Sequence, residues 1–82
     1  MGALLDEVRE SLSLPAPNVA RQIREAAGVS RVRFAAELGL HPLTVMRWED
    51  GTRTPHGENR RTYGRLLAQL DQVTRSSEGT GE

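Results

Sequence analysis

The chain has no cysteine, no lysine and no apolar run approaching the length of a secretion-signal core or a membrane span. Without cysteine, neither a disulfide nor a thiolate metal site can staple the fold, so stability must come from packing and a reducing compartment is permitted. The two histidines, His41 and His56, do not make a metal site in a chain without cysteine. The start, Met1-Gly2-Ala3-Leu4-Leu5-Asp6-Glu7, turns acidic at once, which predicts a cytoplasmic protein with no membrane partner. A chain of 82 residues makes one small domain whose core cannot also enclose a deep active-site cleft. The single tyrosine, scattered serines and distant histidines show no nucleophile-and-base spacing, and no phosphate-cradling glycine loop is present. An enzyme is not expected, and no cofactor or small-molecule substrate is implied.

Net charge is also absent: eleven basic residues balance eleven acidic ones. The balance is uneven along the chain. Residues 1–12 set Asp6, Glu7 and Glu10 against Arg9, residues 76–82 hold Glu78 and Glu82, and residues 13–75 carry ten arginines against six acids, a net of +4. A basic middle between acidic ends suits a nucleic-acid binder better than the total does. Arginine as the sole basic residue fits planar, bidentate contact with phosphate or guanine, and is equally what a GC-rich coding sequence would produce.

Periodicity places the elements. Leu4, Leu5, Val8 and Leu12 form one stripe of a helix over about 3–12, an element of its own within residues 1–14. Leu14-Pro15-Ala16-Pro17 stops it and reads as a hinge or short linker. Asn18 is positioned to cap a helix over 18–27 whose apolar face is Val19, Ile23 and Ala27, with Gly28 as its left-handed end. Ser30 caps a helix over 31–38 that turns Phe34, Ala35 and Leu38 inward and ends at Gly39. Pro42 opens a helix over 42–50, closed by Gly51. Tyr63, Leu66, Leu67, Leu70 and Val73 mark a last helix over 58–74, and residues 75–82 lack apolar side chains and are expected to be a disordered acidic tail. The class is all-α, with residues 15–74 as the main domain. Phe34, Leu38, Gly39, Val45, Trp48, Leu66 and Leu70 are its expected structural residues.

Residues 30–51 therefore read as two short amphipathic helices joined through Gly39 by a three-residue turn, a helix-turn-helix. The second helix keeps Val45 and Trp48 for the core and turns Pro42, Leu43, Met46 and Arg47 outward, a face able to enter a major groove. Glu49 is expected to pair with a neighbouring arginine.

From Ile23 to Leu70 the chain resembles the phage-repressor-like helix-turn-helix family, of the lambda repressor, Cro and xenobiotic-response-element type. The carriers are Ala27-Gly28-Val29-Ser30, Phe34-Ala35-Ala36-Glu37-Leu38-Gly39, Val45-Met46-Arg47-Trp48-Glu49-Asp50-Gly51 and Arg53-Thr54-Pro55. The resemblance implies a five-helix domain of that type and a DNA-binding transcriptional regulator, a repressor of bacterial or phage kind. It implies base contacts from Pro42, Leu43 and Arg47 and phosphate contacts from Arg31, Arg53 and Thr54, with His41, Thr44 and Arg33 as further phosphate candidates. The chain departs from the family pattern at Arg31, Arg33, His41 and Pro42. Since Pro42 cannot donate and Leu43 offers only apolar surface, Arg47 is the one residue able to contact guanine bidentately.

One recognition helix reads few base pairs, so double-stranded DNA and a second copy of the chain on a palindromic operator are the expected partners. The leucine stripe of 3–12 could pack on its own domain or pair with that second copy. The alternatives keep the fold but change the role: an antitoxin or anti-repressor that binds protein, or an excisionase-like architectural DNA protein.

Overall fold

A computed structural model describes residues 3–5 and 14–80, except the side chains of 77–80. Among the described residues there are four helices beyond the stub at 3–5 and no strand: α1 (Pro17–Ala26), α2 (Arg31–Leu38), α3 (Pro42–Asp50) and α4 (Gly57–Thr80). The all-α class is as the periodicity indicates. Residues 3–5 are helical and exposed, and the remainder of the expected helix over 3–12 lies outside the described residues.

The bounds of α2 and α3 match the sequence reading, and their ends show why. Ser30 caps α2 by accepting the Arg33 N–H on its hydroxyl oxygen at 3.1 Å. Gly39 closes it at φ +70°, a left-handed conformation that lets its own N–H bond the Ala36 carbonyl and the Leu40 N–H bond the Ala35 carbonyl. Leu40 is thereby drawn in against the core, and the chain re-enters a helix at Pro42 after only three residues. Gly51 ends α3 in the same left-handed way.

α1 differs from expectation at its start. Pro17, not Asn18, is its first helical residue, and Ala16 occupies the cap position with no side-chain cap. A proline suits the first position because it lacks the N–H that would go unpaired there. The inward face is partly as expected: Ile23 packs against the core and Ala27 is half-buried, but Ala20 and Arg24 are the fully buried residues and Val19 is 40% exposed. The apolar stripe misplaced part of this face because one of its inward members is a charged residue.

α2 packs on α3, and α1 packs on both α3 and α4. The core is Ala20, Phe34, Ala35, Val45, Trp48, Tyr63 and Leu67, with Leu38, Leu66 and Leu70 half-buried around it. Tyr63 is its hinge of aromatics, edge-on to Phe34 at 5.8 Å between centroids and tilted against Trp48 at 4.8 Å. Each such pair adds about 0.5–1.5 kcal/mol beyond area burial. Leu14 packs against Gly64 of α4, and Pro17 lies against Gly51, so the segment expected to hinge is docked.

α4 continues to Thr80, past the expected end at 74, so residues 75–80 extend the helix where a disordered tail was expected. Arg75 pairs with Asp71 at 3.0 Å one turn back, and an established helix propagates at little cost once nucleated. Val73, a member of the stripe that marks this helix in the sequence, is 66% exposed.

Candidate nucleic-acid interface

α3 divides its residues by face. Val45, Trp48 and Glu49 are buried, Leu43, Arg47 and Asp50 are exposed, and Pro42, Thr44 and Met46 lie between. The spacing of the exposed trio, four and three residues, puts them on one side of a helix. Of the three expected base contacts, Leu43 and Arg47 are thus openly presented and Pro42 partly so.

At the head of α3, His41 acts as its own cap, its Nδ1 accepting the Leu43 N–H at 3.0 Å. With Nδ1 accepting, a neutral imidazole carries its proton on Nε2, so this exposed residue keeps one ring donor. At the other end, the Arg47 carbonyl collects the Thr52 N–H at 3.0 Å, the Arg53 N–H at 3.2 Å and the Thr52 hydroxyl at 3.3 Å. That convergence folds the loop back along the helix. It brings the side chains of Arg53 and Thr54 to the same open cleft as Thr44 and Arg47, where His56 and Asn59 from the start of α4 join them. Among the described residues, no acidic side chain lines this cleft. Two guanidinium groups, two hydroxyls, an imidazole and an amide make a set of donors suited to phosphate oxygens.

The other phosphate candidates are placed differently. Arg31, at the head of α2, donates its Nε–H to Glu49 Oε1 at 3.0 Å and its side chain is 35% exposed. It is held in place by an ion pair, with about a third of its side chain reaching the surface. Arg33 borders a separate apolar groove with Val29, Phe34, Glu37, Leu66 and Leu70, away from the cleft.

Glu49 is the centre of a three-helix network, as the expected pairing with arginine implies. Its Oε2 accepts Arg24 Nε–H at 2.6 Å and its Oε1 accepts Arg24 Nη2–H at 3.1 Å as well as Arg31. Arg24 also donates Nη1–H to the Val29 carbonyl at 2.7 Å. Burial pushes the Glu49 carboxyl up, but the hydrogen bonds from Arg24 and then Arg31 outweigh it and hold the group below the ordinary carboxylate range. The bond to Glu49 raises Arg24 above its usual value against the effect of its burial. Tyr63, buried among these groups, is pushed up to about 12, chiefly by desolvation.

Sequence reasoning passed over Arg24, His56 and Asn59. Arg24 escaped because its burial beside Ala20 on α1 is visible only in the fold; once buried, an arginine requires an acidic partner. His56 and Asn59 carried no signal, because only the loop geometry brings them to Arg47. No protein-family model, curated protein or solved structure matches this chain.

Proposed function

We propose that this chain is a sequence-specific DNA-binding transcriptional regulator, a repressor acting in the cytoplasm, in which α2 and α3 form a helix-turn-helix of the lambda-repressor-like type. The observation that carries the reading is Arg47, which stands with Leu43 and Asp50 on the outward face of α3 and also lines the cleft formed by Thr44, Arg53, Thr54, His56 and Asn59. A helix that offers one arginine to base edges and is flanked by donors to phosphate has the division of labour that DNA recognition requires.

In this reading α3 enters the major groove. Arg47 contacts guanine O6 and N7 in a bidentate manner, while Leu43 and Pro42 pack against a thymine methyl group. Arg53, Thr54, Thr44, His41 and the tethered Arg31 grip the phosphates and supply salt-dependent affinity. Arg33 is exposed but borders a different groove from Arg47 and Arg53, and is left out of the contact set. A second copy on a palindrome supplies the affinity that one module lacks.

Selection of duplexes from a random pool by the purified full chain, followed by fluorescence anisotropy on the selected sequence at low and moderate salt, tests the proposal. A shared consensus and a steep loss of affinity with salt are expected. Failure to bind DNA at either salt concentration would overturn it in favour of a protein-binding role.

A further inference from the structure

α2 and α4 leave between them an open groove of about 180 Å³, lined by Val29, Phe34, Leu66 and Leu70, with Arg33 and Glu37 of α2 along it. Leu66 and Leu70 are only half-buried, and Val73, on the same side of α4 by its spacing, is 66% exposed. A row of apolar side chains left open on one side of a helix and bordered by charge has the character of a contact surface. It shares no residue with the polar cleft around Arg47.

The charges indicate what covers it. Arg33 and Glu37 are both exposed, one helical turn apart, and form no ion pair with each other or with any other described residue. Arg21 and Glu25, at the same spacing on α1, do close, at 3.1 Å. The groove therefore carries one open charge of each sign. An acidic partner would meet Glu37 and a basic one Arg33. A second copy of the chain related by a two-fold axis meets neither obstacle, because the axis sets each Arg33 against the Glu37 of the other copy. With eleven charges of each sign, two copies do not repel one another overall. Leu4 and Leu5, 67% and 52% exposed, are not seated in the groove.

We propose that this chain associates as a two-fold dimer through the α2–α4 groove, the apolar side chains of the two copies covering one another and each Arg33 pairing with the Glu37 of the other copy. In the DNA-binding reading this is the surface that joins the two copies on a palindrome. The association itself is measured without DNA, so its failure would leave base recognition by Arg47 untouched.

Sedimentation of the full chain over a concentration series at low salt tests the interface. The wild type should pass from monomer to dimer as concentration rises. Arg33→Glu and Glu37→Arg each set like charges against one another twice, and each should weaken the dimer about tenfold or more. Neither endangers the fold. The first places a carboxylate three residues after the Ser30 cap, as in a capping box, and the second puts a cation near the end of α2, where the helix dipole favours it. Melting temperatures at a dilution where the wild type is monomeric check this. An equimolar mixture of the two variants should regain the dimer as a heterodimer, since one copy then brings two carboxylates and the other two guanidinium groups. A wild type that stays monomeric, single variants that associate as the wild type does, or a mixture that remains monomeric would each overturn the proposal. Val73→Gln should loosen the dimer as well; a lower melting temperature for its monomer would show that the chain's own N-terminal segment covers this face, which would also overturn it.

Discussion

Arg24 of α1 and Glu49 of α3 meet in a two-pronged ion pair, Nε to Oε2 at 2.6 Å and Nη2 to Oε1 at 3.1 Å, with both residues buried. The pair lies 25 positions apart in sequence and joins the first described helix to the one that presents Arg47. Glu49 immediately follows Trp48, so the same turn of α3 is held by aromatic packing and by charge. The outward angle of Arg47 is thus set by groups that never reach the surface.

The two ends of this pair should respond differently to removal. Glu49→Leu leaves Arg24 buried with only the Val29 carbonyl, and should cost about 3–5 kcal/mol. Arg24→Met leaves Glu49 still bonded to Arg31 and should cost less. Combining them removes the uncompensated charge, so the double variant should be more stable than the sum of the single losses implies. Urea unfolding of the three variants measures this, and strictly additive losses would mean that the pair does not act as a unit.

Glu49 also sets an acid limb. Its folded-state pKa is below its unfolded value of about 4.3, so its stabilisation is fully present above that value and is lost as pH falls through the folded pKa. Thermal melts should therefore fall in temperature below about pH 4, and Glu49→Gln, less stable at neutral pH, should show a shallower acid decline. Parallel acid limbs in the two proteins would assign the effect to other carboxylates.

Tyr63 sets the opposite limb. Burial raises its pKa to about 12, so the neutral phenol is favoured in the fold, and that contribution is present below the unfolded value of about 10. Stability should be lost as pH rises from there towards 12. Ultraviolet absorbance near 295 nm should show no phenolate until unfolding begins. Ionisation near pH 10 with the fold intact would place the hydroxyl in water.

Periodicity alone sufficed for α2 and α3, because both helices are bounded by residues with local reasons to be there: Ser30, Gly39, Pro42 and Gly51. It placed α1 only in part: Ile23 packs on the core as expected, but the most buried residues of that helix are Ala20 and Arg24, and a hydrophobic count does not register a buried arginine. It failed at the end of α4, since residues 75–80 carry no apolar side chain and leave no periodic signature. The candidate site divided in the same manner. Arg47 and Leu43 follow from the phase of α3, whereas the association of Arg53, His56 and Asn59 arises from one carbonyl gathering the loop, a tertiary fact with no trace in spacing.

Two glycines should respond with opposite signs to alanine. Gly64 lies within α4, where among the described residues a new Cβ would meet only the Leu14 Cδ1 at 3.4 Å, an ordinary contact with a side chain able to turn. Gly64→Ala should stabilise by about 0.5–1 kcal/mol through helix propensity. Gly39 has open space around it but sits at φ +70°, so Gly39→Ala should destabilise by about 1–2 kcal/mol. Differential scanning calorimetry distinguishes the two, and a lower melting temperature for Gly64→Ala would show that Leu14 is wedged there immovably.

Within the proposed DNA complex, Arg47 and Arg53 border one cleft yet should fail in different ways. Arg47→Ala removes the base-reading fork and should cost about 1–3 kcal/mol of discrimination on the selected sequence, leaving binding to random duplex nearly intact. Arg53→Ala removes a phosphate contact, so it should weaken selected and random duplexes alike and lower the salt slope by about one unit with no change of consensus. Arg31→Ala should resemble Arg53→Ala in the salt slope but also lose stability, because its Nε–H is bonded to Glu49. Anisotropy titrations across salt, paired with melting curves, separate these outcomes. Equal losses on selected and random DNA for Arg47→Ala would reassign Arg47 to the phosphates, and an unchanged melting temperature in Arg31→Ala would mean that its bond to Glu49 contributes nothing to the fold.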